Sequence, residues 1–569
     1  MFAANLSPQT VRRARPQVGA ITPLTIPSKG VNARDTFAVM GAEFAISLKN
    51  VIVEPYGIRT RKGYTEWATG LPSTLPVPTL MSYYPPEAAP AAAAAPFPRD
   101  NVLSMVVEPR AADSPPPGKL FAGTNAGRLY DVTAGGTGPW TAEAIVQGVT
   151  DYWTWENFQN LAGAFLVAAN DGGGYAYYNG TDWAMPIEGV GVGEIEGVDP
   201  ALFCYVMTHK KRLWFIEKDS SRGWYLPVSQ ITGLAHEFDF GEQFRHGGHL
   251  AALVNWTVDG GEGIDDYLVA ISSQGDVVVY RGIDPDDPTQ WALHGVWYVG
   301  ALPVGRRSVL NTGGDVHILS HYGVTPLSLL LSAREQLPSI ELRRTSFLIG
   351  PMIARLMRDF ASFEGWSVRM LPKEELMLIK VPGIAAQYSG QLFALKLLTG
   401  AWSVLTELPY AEVITIGAQA FAGAYDGRVL RAFNGPLDNV RLGQVTGEPI
   451  QCQVTPAYQS MGTPGVQKVF KLLRPTFITT VPPTLVVQIL VDFGLPKPAV
   501  VPTLPDFLQS LWNEALWNSG IWSGVQSTIK RWLGCHGVGF IGTAQLDYKC
   551  GGDTLLTSID FWTEAGGVL

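Results

Sequence analysis

Through the middle of the chain the hydrophobic positions do not keep a helical period. They fall in short runs, alternating or continuous, each led by a glycine that usually follows a small or polar residue. Seven such segments stand out: AGRLYDV (126–132), GGYAYYN (173–179), RGWYLPV (222–228), QGDVVVY (274–280), YGVTPLS (322–328), SGQLFAL (389–395) and DGRVLRA (426–432). Their glycines lie at 127, 174, 223, 275, 323, 390 and 427, at separations of 47, 49, 52, 48, 67 and 37 residues. A glycine turn between β-rich runs reads as a hairpin. Hairpins recurring at roughly 40–50 residues predict a mainly β fold, a β-propeller, whose blades are small four-stranded sheets packed face to face around an axis. Six blades are expected, with seven as the alternative, because the unit at 323 is weak and one gap is long.

The surrounding segments fill in the organisation. RLWFIEKDSSRGWYLPV (212–228) and YLVAISSQGDVVVYRG (267–282) each give two β runs joined by a polar turn. The rhythm breaks over 330–375. There Ile349, Met352, Ile353, Leu356 and Phe360 recur at helical spacing within SIELRRTSFLIGPMIARLMRDFASF (339–363), which predicts one amphipathic helix as an insertion. Near the start, VIVEPYGIRTRKGY (51–64) reads as strand, turn and strand around Pro55 and Gly57. YYPPEAAPAAAAAPFP (83–98) is low-complexity sequence whose prolines prevent a continuous helix, so a mobile loop between two strands is expected.

Beyond 445 the strands lengthen, in PIQCQVTPAYQSM and LRPTFITTVPPTLVVQILVDF, and GFIGTAQLDYK (539–549) and TLLTSIDFWTEAGG (554–567) read as closing strands. Between them Trp512, Trp517 and Trp522 are spaced for neither one helix face nor one strand face, which predicts a turn-rich aromatic loop. Three regions follow: an N-terminal arm with the first strands (1–70), the propeller (71–445) and a C-terminal β-sandwich-like domain (446–569).

Composition adds a prediction of assembly. Of 569 residues 46% are hydrophobic, 17 are Trp and only 16% are charged, against about 25% charged in an ordinary soluble chain. A chain this apolar is expected to bury surface against copies of itself. No apolar run is long enough to span a bilayer, and the first residues, MFAANLSPQTVRRARPQ, lack the continuous apolar core of a secretion signal. Cys204, Cys452, Cys535 and Cys550 are few and scattered, so free thiols are expected, with a Cys535–Cys550 disulfide as the alternative. Net charge is −9, yet residues 1–70 carry nine Lys and Arg against four Asp and Glu. The remaining body is therefore strongly acidic, which argues against a protein that grips nucleic acid.

Chemistry-bearing patterns are sparse, and neither a catalytic residue nor a cofactor or metal ligand set is expected. His236 and Glu237 lack the second His of a zinc helix, and His246 and His249 flank two glycines in a presumed turn. Cys535, His536 and Cys550 would leave a metal one ligand short. The acidic groups Glu262, Asp265, Asp266 and Asp284, Asp286, Asp287 sit in Gly- and Pro-rich turns, where solvated loop tips are expected in place of glycosidase carboxylates or a calcium loop. GVGVGEIEG (189–197) has no helix after it to present to a phosphate. Lys210, Lys211 and Arg212 read as a solvated strand start. Trp153, Trp155, Trp183 and Trp224 are expected between blades; stacking on sugars is the alternative.

Two long segments carry a resemblance. HKKRLWFIEKDSSRGWYLPVSQITG (209–233) and NWTVDGGEGIDDYLVAISSQGDVVVYRGIDPDDPTQWALHGVWYVGALPVGRR (255–307) resemble the tail hub, or nozzle, proteins of short-tailed bacteriophages. NVIVEPYGIRTRKGYTEWATGLP (50–72) and TSIDFWTEAGGVL (557–569) resemble that family's beginning and end. The resemblance implies a virion structural protein with no catalytic residues, forming a six-fold ring at the distal end of the tail tube. Its implied partners are further copies of itself, a portal-adaptor ring and tail fibres or spikes, and double-stranded DNA would pass without sequence-specific binding. The alternative function is a carbohydrate-binding or carbohydrate-cleaving propeller acting on host glycans.

Overall fold

The computed structural model describes residues 19–71, 76–85, 118–124, 128–145, 150, 152–259, 264–332, 344–383, 390–497, 499–502 and 526–565. Around one axis stand the strands Thr79–Tyr83, Trp153–Asn160, Phe203–His209, Leu250–Asp259, Val309–Asn311, Ser367–Leu371 and Tyr410–Ile416. Each neighbours the next in chain order, and the last returns to the first. Every one begins an antiparallel sheet that runs outward, so the chain is a β-propeller.

Six of these sheets are free-standing blades, five with four strands and one, Val309–Pro326, with three. One more sector, sixth of the seven in chain order, Ser367–Leu371, Leu376–Lys380, Gly390–Lys396 and Ala401–Leu408, takes the remaining place in the circle but belongs to a nine-stranded sheet. The expected six blades and the alternative seven thus both have a counterpart. Each described glycine of the sequence repeat falls at the turn into, or the start of, the third strand of a sector; Gly127 lies outside the described residues. Gly275 shows why: at φ 96° a Cβ there would lie 2.1 Å from the Gly300 carbonyl oxygen.

The faces between sectors hold separate hydrophobic clusters. Between the third and fourth, the fully buried Trp214 stacks on Trp291, with ring centroids 6.1 Å apart and planes 14° from parallel. Between the fifth and sixth, the space is filled by the predicted helix, Gly350–Phe360. It buries Ile353 and Met357, with Met352, Leu356 and Phe360 partly buried against the same cluster. That inserted helix accounts for the long gap in the repeat.

The propeller is closed from outside its own span. Thr65–Ala68 pairs with Val429–Ala432 as the outer strand of the last blade, in register Leu430↔Glu66. The strands before it belong to the C-terminal domain. One seven-stranded sheet contains Ala20–Leu24, Val51–Glu54 and Gly57–Thr60 together with Lys468–Thr479, Ser527–Lys530, Leu533–Gly539 and Thr554–Ala565. The facing layer is Ala45–Lys49, Glu448–Pro456, Gly542–Cys550 and Thr484–Val491, which continue the sixth sector's sheet through Lys49↔Val404. Phe477 of one layer meets Tyr548 of the other at 5.3 Å between ring centroids.

The strand–turn–strand expected over 51–64 is present, but the division at 70 is corrected: the strands between residues 20 and 60 belong to the sandwich and Thr65–Ala68 to the propeller. Pro475 sits within a long strand at the gap between two edge partners, one ending at Leu473 and the other beginning at Thr476, so its missing N–H costs no ladder bond on that side. Nearly all of the Ala/Pro loop and all of the Trp512, Trp517 and Trp522 segment lie outside the described residues.

Candidate functional site at the propeller axis

The link between the fourth and fifth sectors carries two successive arginines to the axis. Arg307 donates to the carbonyl oxygens of Pro78 at 2.6 Å and Trp153 at 2.8 Å, and to the Thr79 hydroxyl and the Glu412 carboxylate. One guanidinium thus ties together the first, second and last sectors, none of which is adjacent to it in sequence. Glu412 also accepts from Arg369 Nε at 2.7 Å, and its side chain is only 3% exposed. Arg306 donates from Nε to Asp171 at 2.6 Å and from Nη1 to the carbonyls of Leu250 and Ala251 at 2.9 and 3.0 Å.

Burial alone would push Glu412 toward its neutral form, but the Arg369, Arg307 and Lys380 cations outweigh it and hold the carboxyl below its usual range. Nearby Glu156 has no such neighbour. Burial pushes it up to about 7, against a weaker opposing pull from Thr208. At the far end of the third inner strand, His209 bonds through Nδ1 to Asn255 Oδ1 at 2.6 Å, and burial lowers its pKa to about 4.

Next to the arginines is an axial cavity of about 390 Å³. Inner strands of five sectors wall it, with Trp155, Val206, Leu310, Met370 and Ile414 on its apolar sides and Arg306, Arg307 and Arg369 as its cations. A larger cavity, about 670 Å³, opens where the sixth sector meets the sandwich. There the sheet of the two parts is continuous through the ladder pair Lys49↔Val404, and both residues line the cavity. The buried carboxylate in its wall, Asp547, is satisfied internally: Gln453 and Gln545 amides each bond one of its oxygens, at 2.8 and 2.6 Å.

The residues singled out in the sequence are scattered and locally satisfied. His236 stacks on Tyr225 and lies 3.6 Å from Asp286, while His246 bonds Asp276 at 2.7 Å. Asp284 pairs with Arg212, Asp266 with Lys210, and Asp287 caps its own turn through Thr289 and Gln290. The side chains of Glu262 and Asp265 lie outside the described residues. Lys210 and Lys211 form a two-residue turn with φ of 49° and 59°. In the 189–197 loop the Glu194 carboxylate accepts from the Gly191 N–H at 2.6 Å.

Trp153 and Trp224 are buried, Trp183 packs on Phe121, and of the four Trp153 and Trp155 line the axial cavity. Cys535 and Cys550 lie on opposite sheets as free thiols. Cys550 instead sits 3.3 Å from the Thr60 hydroxyl, which Cys452 also approaches. Among the described residues no three His, Cys, Asp or Glu side chains converge as metal ligands, and no helix is long and apolar enough to cross a membrane.

Sequence reading missed the axial group altogether. Its one local trace is the pair Arg306-Arg307 after a Pro-Val-Gly turn, and its other members come one by one from separate blades. No family model matches the chain, and no curated protein does. Solved structures similar to part of it include "YCF48 bound to D1 peptide", 12% identical over 55% of this chain and 87% of that one, with a TM-score of 0.30. The β-propeller domain of Myceliophteria thermophila Cps50 (Swd1) is likewise 12% identical, over 55% of this chain and 92% of that one, with a TM-score of 0.33.

Proposed function

We propose that this chain is a non-catalytic structural subunit of a short-tailed bacteriophage tail, a nozzle protein whose copies close into a ring, a homohexamer, at the distal end of the tail tube. The ring retains the genome and then lets it leave, beneath a portal-adaptor ring and beside fibres or spikes. The observation that carries this reading is the resemblance of four segments spread from residue 50 to 569 to that family. The fold is in keeping with it. A common hydrophobic core spans the propeller and the sandwich and packs the two bodies together, which suits a part that bears load. Arg306 and Arg307 plug the axis of each propeller, and the remaining space is of small-molecule size. DNA would therefore pass between copies and not through one of them. An acidic body lets a polyanion slide without sticking.

The test is assembly. The purified chain, alone or with its adaptor complex, is expected to form closed rings seen by electron microscopy and sized by light scattering. A strictly monomeric chain in both settings would overturn the reading.

A further inference from the structure

The axial cavity has donors to spare. Arg306 uses Nε and Nη1, and Arg369 uses Nε toward Glu412 and Nη1 toward the Val368 carbonyl at 3.3 Å. The Nη2 group of each makes no hydrogen bond among the described residues. Both guanidinium groups line the same cavity, and Arg306 is held rigid there with its side chain 7% exposed. The charges do not cancel. Three guanidinium groups face two buried carboxylates, Asp171 and Glu412, while Glu364 on the outer side of the plug is exposed. Glu156, whose carboxyl burial pushes toward its neutral form, is not among the residues that line the cavity. The other walls are apolar and aromatic, including Trp155 and Met370.

From this we infer that the axial cavity is a binding site for a small organic carboxylate with an apolar body. The carboxylate would take the free N–H groups of Arg306 and Arg369, and the body would lie against the Trp155 side. Guanidinium donors favour a planar carboxylate, with charge-assisted bonds about twice as strong as neutral ones. A cavity of about 390 Å³ matches an aromatic or branched acid of this kind. The five apolar wall residues named above each come from a different sector, so occupancy would also tie blades together across the axis. The inference does not depend on the proposed role in a tail.

The full-length chain would be titrated by calorimetry and tryptophan fluorescence with phenylacetate, phenylacetamide and inorganic phosphate. Saturable binding of one phenylacetate per chain is expected, with the neutral amide and Arg369→Gln each weaker by about tenfold or more. Leu310→Trp, which fills the cavity without touching a charge, is expected to abolish binding while the melting temperature holds. The inference is overturned by absence of phenylacetate binding up to about 10 mM, by equal affinity for the amide, or by binding that survives both variants. Phosphate binding as tightly as phenylacetate would overturn the carboxylate assignment.

Discussion

A single guanidinium makes direct bonds to three sectors of this ring. Arg307 joins three sectors and neutralises a buried carboxylate, so Arg307→Ala leaves Glu412 with Arg369 alone among its direct partners. Breaking a buried, hydrogen-bonded ion group of this kind costs about 3–5 kcal/mol, which urea unfolding at neutral pH would report. Glu156 acts in the opposite sense. Its folded pKa of about 7 exceeds the ordinary carboxyl value, so the folded state holds the proton more tightly and stability falls as pH rises from about 4.5 through 7. Glu156→Gln is therefore expected to flatten that fall and to be the more stable form above pH 7, measured as melting temperature against pH. A mutant curve that keeps the wild-type slope in this window would contradict the assignment.

At the scale of elements, the blades are local and their closure is not. The seven glycine hairpins, the helix at Gly350–Phe360 and the strands flanking Pro55 are legible because the residues that make each are neighbours in sequence. Thr65–Ala68 is different. Its partner is some 360 residues away, and nothing in TEWA distinguishes a strand of a blade from a strand of a sandwich. The axial arginines were illegible for the same reason: Pro78, Trp153, Arg307 and Glu412 meet only once the circle is closed. The closing strand gives a direct test. The Glu66 N–H donates to the Val440 carbonyl at 2.8 Å, so Glu66→Pro removes the bond that holds the outer side of this strand and loosens its seat on the last blade. Loss of about 1–3 kcal/mol is expected, with faster amide exchange over Val429–Ala432 than elsewhere in the ring. Unchanged exchange there would show that the strand is not a clasp.

For the whole molecule, the shared nine-stranded sheet and a core running from Val324 and Trp366 to Leu546 and Phe561 make two architectures one cooperative body. Arg61 strengthens the join. It is fully buried, grips Asp438 with two bonds of 2.7 and 2.6 Å, and reaches Asn50 through Nε. Calorimetry is therefore expected to show the propeller and the sandwich melting in one transition. Two resolved transitions would mean that the joint is weaker than its contacts.

The register Ala20↔Thr563 has a consequence for biosynthesis. A ribosome working at 5–20 residues per second needs roughly half a minute to two minutes to travel between those two positions. Throughout that interval Ala20–Leu24 has no strand to pair with, while blade after blade emerges and folds behind it. The nascent chain must keep its leading end unspent until its tail is released, and a chaperone that shields exposed strand edges during translation would find its natural client there.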